Sequence, residues 1–276
     1  MDDFDRQWPL GKSTSYVSEY DPDLLCPVPR QLKRTEIGLT DALPFTGFDI
    51  WNAYELSWLD PGGKPIVAMG EFQFPCNSPN LVESKSLKLY LNSLNLTRFN
   101  DLDSVQGLIR KDLSDVAETE VDVRLFLPGD FSALTFGQLP GRCLDSTPVI
   151  NPVYELDPTL LSDAADPSQI VAEDLYSHLL KSNCLVTSQP DWASVLIRYH
   201  GPKISDEALL RYLISFRQHN EFHEQCVERI YCDVQKFCRP EQLTVYARYT
   251  RRGGLDINPF RSNFEEQVAN VRLARQ

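Results

Sequence analysis

Two stretches run parallel at low identity, and this repetition limits the possible folds more than any other feature. They are "SKSLKLYLNSL", residues 84–94, and "DEALLRYLISF", residues 206–216. Leu87, Tyr90, Leu91 and Leu94 recur at helical spacing in the first. Ser205, followed by two acids, opens the second as a helix. Strand-like runs precede both. In the first half "FDIWNAYELSWL" and "PIVAMGEFQF" flank a "DPGGK" turn, and in the second "SNCLVTSQPDWASVLIRYHG" reads as a hairpin. A second helix follows each time. One covers Asp103 to Val116, with Val105, Leu108, Ile109 and Val116 inward. The other is "EFHEQCVERIYCDVQKF", with Phe222, Val227, Ile230, Val234 and Phe237 on its apolar side. "EVDVRLFL" and "LTVYARYT" then alternate as strands.

Each half therefore reads strand, strand, helix, helix, strand, strand, as an internal duplication would. Hairpins with helices between them predict an α+β fold, antiparallel sheets with helices on one face. Alternating βαβ units and a G-x-G-x-x-G run are both missing from the sequence, which argues against a Rossmann domain. Residues 1–40, rich in proline and polar groups, read as an arm packed on the surface. Five prolines between 139 and 170 mark a linker over 141–170. The two modules then cover 41–140 and 171–276.

A formal net charge of −12 argues against a surface that tracks nucleic-acid phosphates. The acidic N-terminus lacks the apolar run of a signal peptide, and no apolar run is long enough to span a bilayer. Seven scattered cysteines suit a reducing cytoplasm. Three of them, Cys226, Cys232 and Cys238, recur every six residues. Six residues turn a helix by about 600°, so these thiols point about 120° apart and cannot converge on one ion. No C-x-x-C pair occurs either, so a cysteine-rich zinc site is not expected.

Several short segments carry groups capable of chemistry, each with a plain structural alternative. Cys184 is either a small buried hydrophobe or a nucleophile, and Asp191 either shapes a turn or faces that cysteine across a hairpin. His219 and His223 stand four apart but lack the order of H-E-x-x-H, which suits surface histidines at a helix start. Glu224 reads equally as a solvated acid of the first turn. "ESKSLKLY", residues 83–90, offers an acid, a serine and Lys85 at a helix start, open to an anion or simply capped. "YTRRGG" sets Arg251 and Arg252 beside two glycines, a turn able to clamp a phosphate.

Together these segments resemble the nitrile oxidoreductases known as QueF, in their long two-module form. "ESKSLKLY" matches the family signature position by position, and "SNCLVTSQPDWAS", "NEFHE" and "RRGG" follow in the family's order. The resemblance covers nearly the whole chain. It implies two tandem tunnelling-fold modules, the fold shared with GTP cyclohydrolase I, with the signature in the first half and the nucleophile in the second.

The implied activity is reduction of 7-cyano-7-deazaguanine to its aminomethyl form, a step toward queuosine in tRNA, with two NADPH and no metal. By the resemblance, Cys184 adds to the nitrile as a thioimidate and Asp191 is the general acid, a role that calls for a pKa above its free value. Val82, Glu83, Ser84, His223 and Glu224 correspond to substrate contacts, the carboxylates accepting from the N–H donors of the ring. Ser84, Lys85, Arg252 and Gly253 correspond to NADPH contacts. A cytoplasmic homodimer acting on a free base, without nucleic-acid or membrane partners, is expected. The competing readings are a zinc hydrolase related to GTP cyclohydrolase I and a purine-binding module without catalysis.

Overall fold

A computed structural model describes residues 17–40 and 42–276 of the protein. The chain forms two compact units. One gathers residues up to 36, 48–135 and 251–256, and the other gathers 37–47, 136–250 and 257–276.

In the first unit, β2 (Thr46–Leu59) and β3 (Pro65–Pro75) form the predicted antiparallel hairpin, running from Phe48↔Pro75 to Leu59↔Pro65. β5 (Asp122–Phe126) pairs with the other edge of β3. Two helices follow the hairpin, α2 (Ser84–Ser93) and α3 (Leu102–Ala117). Leu87, Tyr90 and Leu91 are buried on α2, and Val105, Ile109 and Leu113 on α3. Leu108 and Val116 are only half-buried, so the inward stripe of α3 lies slightly to one side of the predicted one.

The second unit contains β6 (Arg142–Cys143), β7 (Ala165–Ser177), β8 (Lys181–Asn183), β9 (Pro190–Ile204), β10 (Gln242–Tyr249) and, from Ile257 on, β11 (Leu255–Ser262). The sheet order is β11-β10-β9-β7-β6, with β8 also on β9. All these pairings are antiparallel except β6 with β7. Its helices are α4 (Asp206–Ser215) and α5 (His223–Cys238).

The duplication extends to single hydrogen bonds. Tyr90 on α2 donates to Asp112 Oδ2 of α3 at 2.8 Å, and Tyr212 on α4 donates to Asp233 Oδ2 of α5 at 2.6 Å. Ser93 Oγ and Ser215 Oγ each donate to the carbonyl of that tyrosine, both at 2.6 Å. In both units the first helix ends in a three-residue 3₁₀ turn, and the second ends at a left-handed residue, Glu118 or Arg239. A buried phenol needs an acceptor, so the same tyrosine–aspartate pair fixes the same helix packing twice.

Four expectations need correction. The predicted second-half hairpin pairs only Lys181–Asn183 of β8 with β9; the long partner of β9 is β7, which begins inside the stretch read as linker. β7 escaped notice because most of its residues are half-buried or exposed, and Pro167 interrupts its alternation. In the first unit a single strand, not two, follows the helices. Phe222 and Phe237 are half-buried, whereas Cys226, Tyr231 and Cys238 of α5 are buried.

The fourth concerns the arm. Residues 1–16 of it, including the acidic start, lie outside the described residues. Residues 17–36 are built into the first unit: β1 (Pro27–Pro29) pairs with β4 (Asn80–Val82), opening α1 (Arg30–Arg34). Arg30 is buried against Asp49 at 2.6 Å, and Arg34 donates to the Cys76 carbonyl at 2.7 Å.

Candidate active site

β8 is three residues long, yet it has backbone partners on both sides. On one side its register with β9 sets Lys181 against Trp192, Ser182 against Asp191 and Asn183 against Pro190. The ladder runs one step further, since Cys184 N donates to the Gln189 carbonyl at 2.8 Å. Ser188 closes the connection in the left-handed region, its N–H donating to Cys184 O at 3.0 Å. Cys184 therefore stands opposite Gln189, and Asp191 stands opposite Ser182. Because side chains alternate along a strand, Cys184 and Ser182 share a face, and Asp191 joins them as the diagonal neighbour of the cysteine.

On its other side β8 binds the segment that leads into α5. Asn183 N donates to the His219 carbonyl at 2.8 Å, and Glu221 N donates to Asn183 O at 3.0 Å. Asn183 and Asn220 also join through their side chains at 3.0 Å. Glu221 is fixed in turn by Arg229, whose guanidinium donates to its carboxylate at 2.6 and 2.9 Å. This clamp sets the first turn of α5 beside Asp191.

The histidine read as a surface residue is consequently buried, at 8% exposure, and Glu224 at 4%. His223 Nε2 lies 3.2 Å from Asp191 Oδ2. Its ring stacks on Tyr249 of β10, centroids 3.8 Å apart and planes within 10°. Cys184 and Asp191 are 5% and 3% exposed. Among the described residues, Ser182 Oγ and His223 Nδ1 are buried without a hydrogen-bond partner. Such groups are uncommon, and each has room for a partner such as an ordered water, an ion or a ligand.

Burial disfavours the thiolate at three of the other cysteines, Cys26, Cys226 and Cys238. α5 is unbroken, so Cys226, Cys232 and Cys238 diverge as the spacing predicts. Burial holds the Cys226 thiol far above its ordinary range and pushes Cys238 up to about 12. Burial also raises Cys26, with Glu83 adding to the effect.

In the first unit, Glu83 is the N-cap of α2, accepting from Lys85 N and Ser86 N at 2.8 Å each. Ser86 Oγ returns a bond to the Glu83 carbonyl at 2.6 Å and accepts from Cys26 N at 3.1 Å. Burial raises the Glu83 pKa, while the two backbone N–H groups oppose that rise. Ser84 Oγ also donates to Glu83 Oε1 at 3.5 Å; a carboxylate has about four acceptor positions, so about one remains. Val82, on β4, is buried, and Ser84 and Lys85 are half-buried at the helix start.

The "RRGG" segment is a two-residue hairpin turn: Arg252 and Leu255 exchange backbone hydrogen bonds around Gly253 and Gly254, at φ +58° and +79°. Two consecutive positive φ values explain the glycine pair. A Cβ on Gly253 would lie 3.2 Å from Lys88, one helical turn beyond Ser84. The hydroxyl of Ser84, the lysines of α2 and the arginine turn thus belong to one compact unit, a donor set suited to phosphate.

The model of the nitrile reductase family, "7-cyano-7-deazaguanine-reductase N-term", matches residues 16–125, and that of "QueF-like protein" matches residues 190–268. An NADPH-dependent 7-cyano-7-deazaguanine reductase of Azoarcus sp. is 57% identical over 95% of this chain and 92% of its own. The chain belongs to the QueF nitrile reductase family. Reductases of the same name from Hydrogenovibrio crunogenus and Chromobacterium violaceum are 56% and 57% identical, each over 97% of this chain and 96% of its own. The apo crystal structure of an archaeosine synthase QueF-Like covers 36% of this chain and 96% of its own. Its TM-score of 0.31 and 16% identity are too low to bear on fold or function.

Of the residues that the QueF resemblance singles out, Cys184, Asp191, His223 and Glu224 fall in the second unit. Val82, Glu83, Ser84, Lys85, Arg252 and Gly253 fall in the first. Sequence reasoning overlooked Tyr249. Its signal was faint: an inward tyrosine two residues before the arginine pair, inside a strand that alternation alone explains. Ser182 was overlooked too, since only the β8–β9 register reveals what it faces.

Proposed function

We propose that the chain reduces the nitrile of 7-cyano-7-deazaguanine to the primary amine with two NADPH, through a thioimidate on Cys184. The observation that carries this reading is the buried group on the β8–β9 ladder, where Cys184 and Asp191 share a face and His223 stands 3.2 Å from Asp191.

A nitrile carbon accepts hydride poorly because its nitrogen is weakly basic and hard to protonate. Thiolate addition from Cys184, with a proton from Asp191 to the nitrogen, converts it to a thioimidate, a better acceptor. The thioimidate carbon takes one hydride from NADPH, the C–S bond breaks, and an imine remains while the thiolate is restored. A second hydride and a proton give the amine. His223, held beside Asp191, orients the acid and relays its proton. Glu83 and Glu224 accept from the N–H donors of the deazaguanine edge. Ser84, Lys85, Arg252 and Gly253 hold the phosphates of NADPH, and the positive charges favour the additional phosphate over NADH.

No step requires a metal, and the substrate is a free base rather than a nucleic acid, which agrees with the charge of −12. All seven cysteines are free thiols, and no helix among the described residues is long and apolar enough to cross a membrane. We place the enzyme in the cytoplasm as a homodimer, with its product entering queuosine synthesis. The test is a product analysis on chelator-treated protein. Two NADPH consumed per aminomethyl product supports the reading. A hydrolysis product, or a zinc-restored activity that consumes no NADPH, overturns it.

A further inference from the structure

Away from the residues assigned to the reaction, Cys143, Asp145 and His178 bring a thiol sulfur, a carboxylate oxygen and an imidazole nitrogen within 4.8 Å of one another. We propose that these three side chains bind one divalent cation of the zinc type, fastening β6 to the end of β7.

The site follows from the one parallel pairing in the sheet. Cys143 pairs with Tyr176, and Leu144 N donates to the Tyr176 carbonyl at 2.8 Å, so the two segments leave the sheet side by side. A turn closed by Thr147 N on Leu144 O then carries Asp145. Its carboxylate accepts from Ser177 Oγ at 2.6 Å and from His178 N at 3.1 and 3.2 Å, which fixes its direction. The His178 ring is fixed as well, with Nδ1 2.7 Å from Ser194 Oγ. Outer hydrogen bonds of this kind orient ligands in metal sites and select the ring nitrogen that faces the ion.

The donor set selects the metal. Thiolate, imidazole and carboxylate together suit zinc or cobalt and not magnesium or calcium, which take oxygen alone. Bond lengths of about 2.0–2.3 Å are reached from the present spacing by small side-chain movements. Binding replaces the thiol proton with the cation and releases that proton to solvent, so two negative ligands balance the dication. All three residues are half-buried, which leaves a path for the ion. His178 also lines a cavity of about 360 Å³ with Ser194, Leu273 and Arg275. β6 has only two residues in the sheet, so a metal clip would add an attachment that its own ladder lacks.

The test is cobalt(II) titration of chelator-stripped protein, followed by absorbance and by metal analysis after desalting. The expected result is about one cobalt per chain with a thiolate-to-metal charge-transfer band, which zinc displaces. The band should persist in Cys184→Ala and vanish in Cys143→Ser and in His178→Gln. Retained reductase activity in Cys143→Ser, without added metal, would report that this variant is folded. A wild-type protein without the band overturns the proposal, as does a band that survives Cys143→Ser. The cobalt readout does not depend on nitrile reduction, so it succeeds or fails separately from the proposed reaction.

Discussion

His223 is held flat against Tyr249, with ring centroids 3.8 Å apart, while its Nε2 lies 3.2 Å from Asp191. The stack fixes the tilt of the imidazole, and the carboxylate fixes its rotation. On the proposed mechanism, Tyr249 would act on the reaction through His223. Tyr249→Leu should reduce kcat with little change in KM for the nitrile. An aromatic pair contributes about 0.5–1.5 kcal/mol beyond its area, so the loss should reach up to roughly tenfold. Tyr249→Phe keeps the stack and should stay near wild type. Equal losses in both variants, by steady-state kinetics, would remove the stack from the account.

Asp191 should act before any hydride moves. If it supplies the proton that makes the nitrile electrophilic, Asp191→Asn will slow formation of the covalent adduct by about 10²–10⁴-fold. Rapid mixing with nitrile alone measures that step. Asparagine is a good turn residue, so an aspartate that only shaped the connection would leave the rate close to wild type.

The arginine turn should serve the dinucleotide alone. Arg252→Ala is expected to raise KM for NADPH by the equivalent of about 1.5–3 kcal/mol, with a much smaller effect on the nitrile. Initial rates with each substrate varied in turn separate the two. An unchanged NADPH constant would reduce the "RRGG" segment to a turn.

Glu83 gives a pH prediction of definite sign. Burial raises its pKa above the ordinary value of 4.5, so the folded state holds the proton more tightly than the unfolded chain. For an acid shifted upward, the stabilising contribution is present below the unfolded value and is lost as pH rises through the folded one. The melting temperature of the wild type should therefore fall, relative to Glu83→Gln, as pH rises from about 4.5. A difference that grows in the opposite direction would mean that the two capping N–H groups outweigh burial.

The repeat was legible because its signal is local. Tyr90 and Tyr212 stand at the same point of two helical patterns, and both find an aspartate on the next helix. His223 and Glu224 were illegible for the opposite reason. Helical periodicity describes a helix buried on one face, whereas the start of α5 is covered by the 219–221 segment clamped to β8. Asp191 shows the limit of strand parity. A separation of seven from Cys184 allows several registers, and the register observed depends on the connection closing at Ser188 in a left-handed conformation. β7 left almost no trace, since only two of its thirteen residues are buried and no apolar alternation marks it.

The covalent role of Cys184 is the centre of this account, and intact mass tests it most directly. Protein mixed with 7-cyano-7-deazaguanine, with NADPH withheld, should gain the mass of one substrate molecule, and Cys184→Ala should gain nothing. A wild-type protein of unchanged mass under conditions where it turns over, or an adduct that persists in Cys184→Ala, would contradict covalent catalysis by this residue.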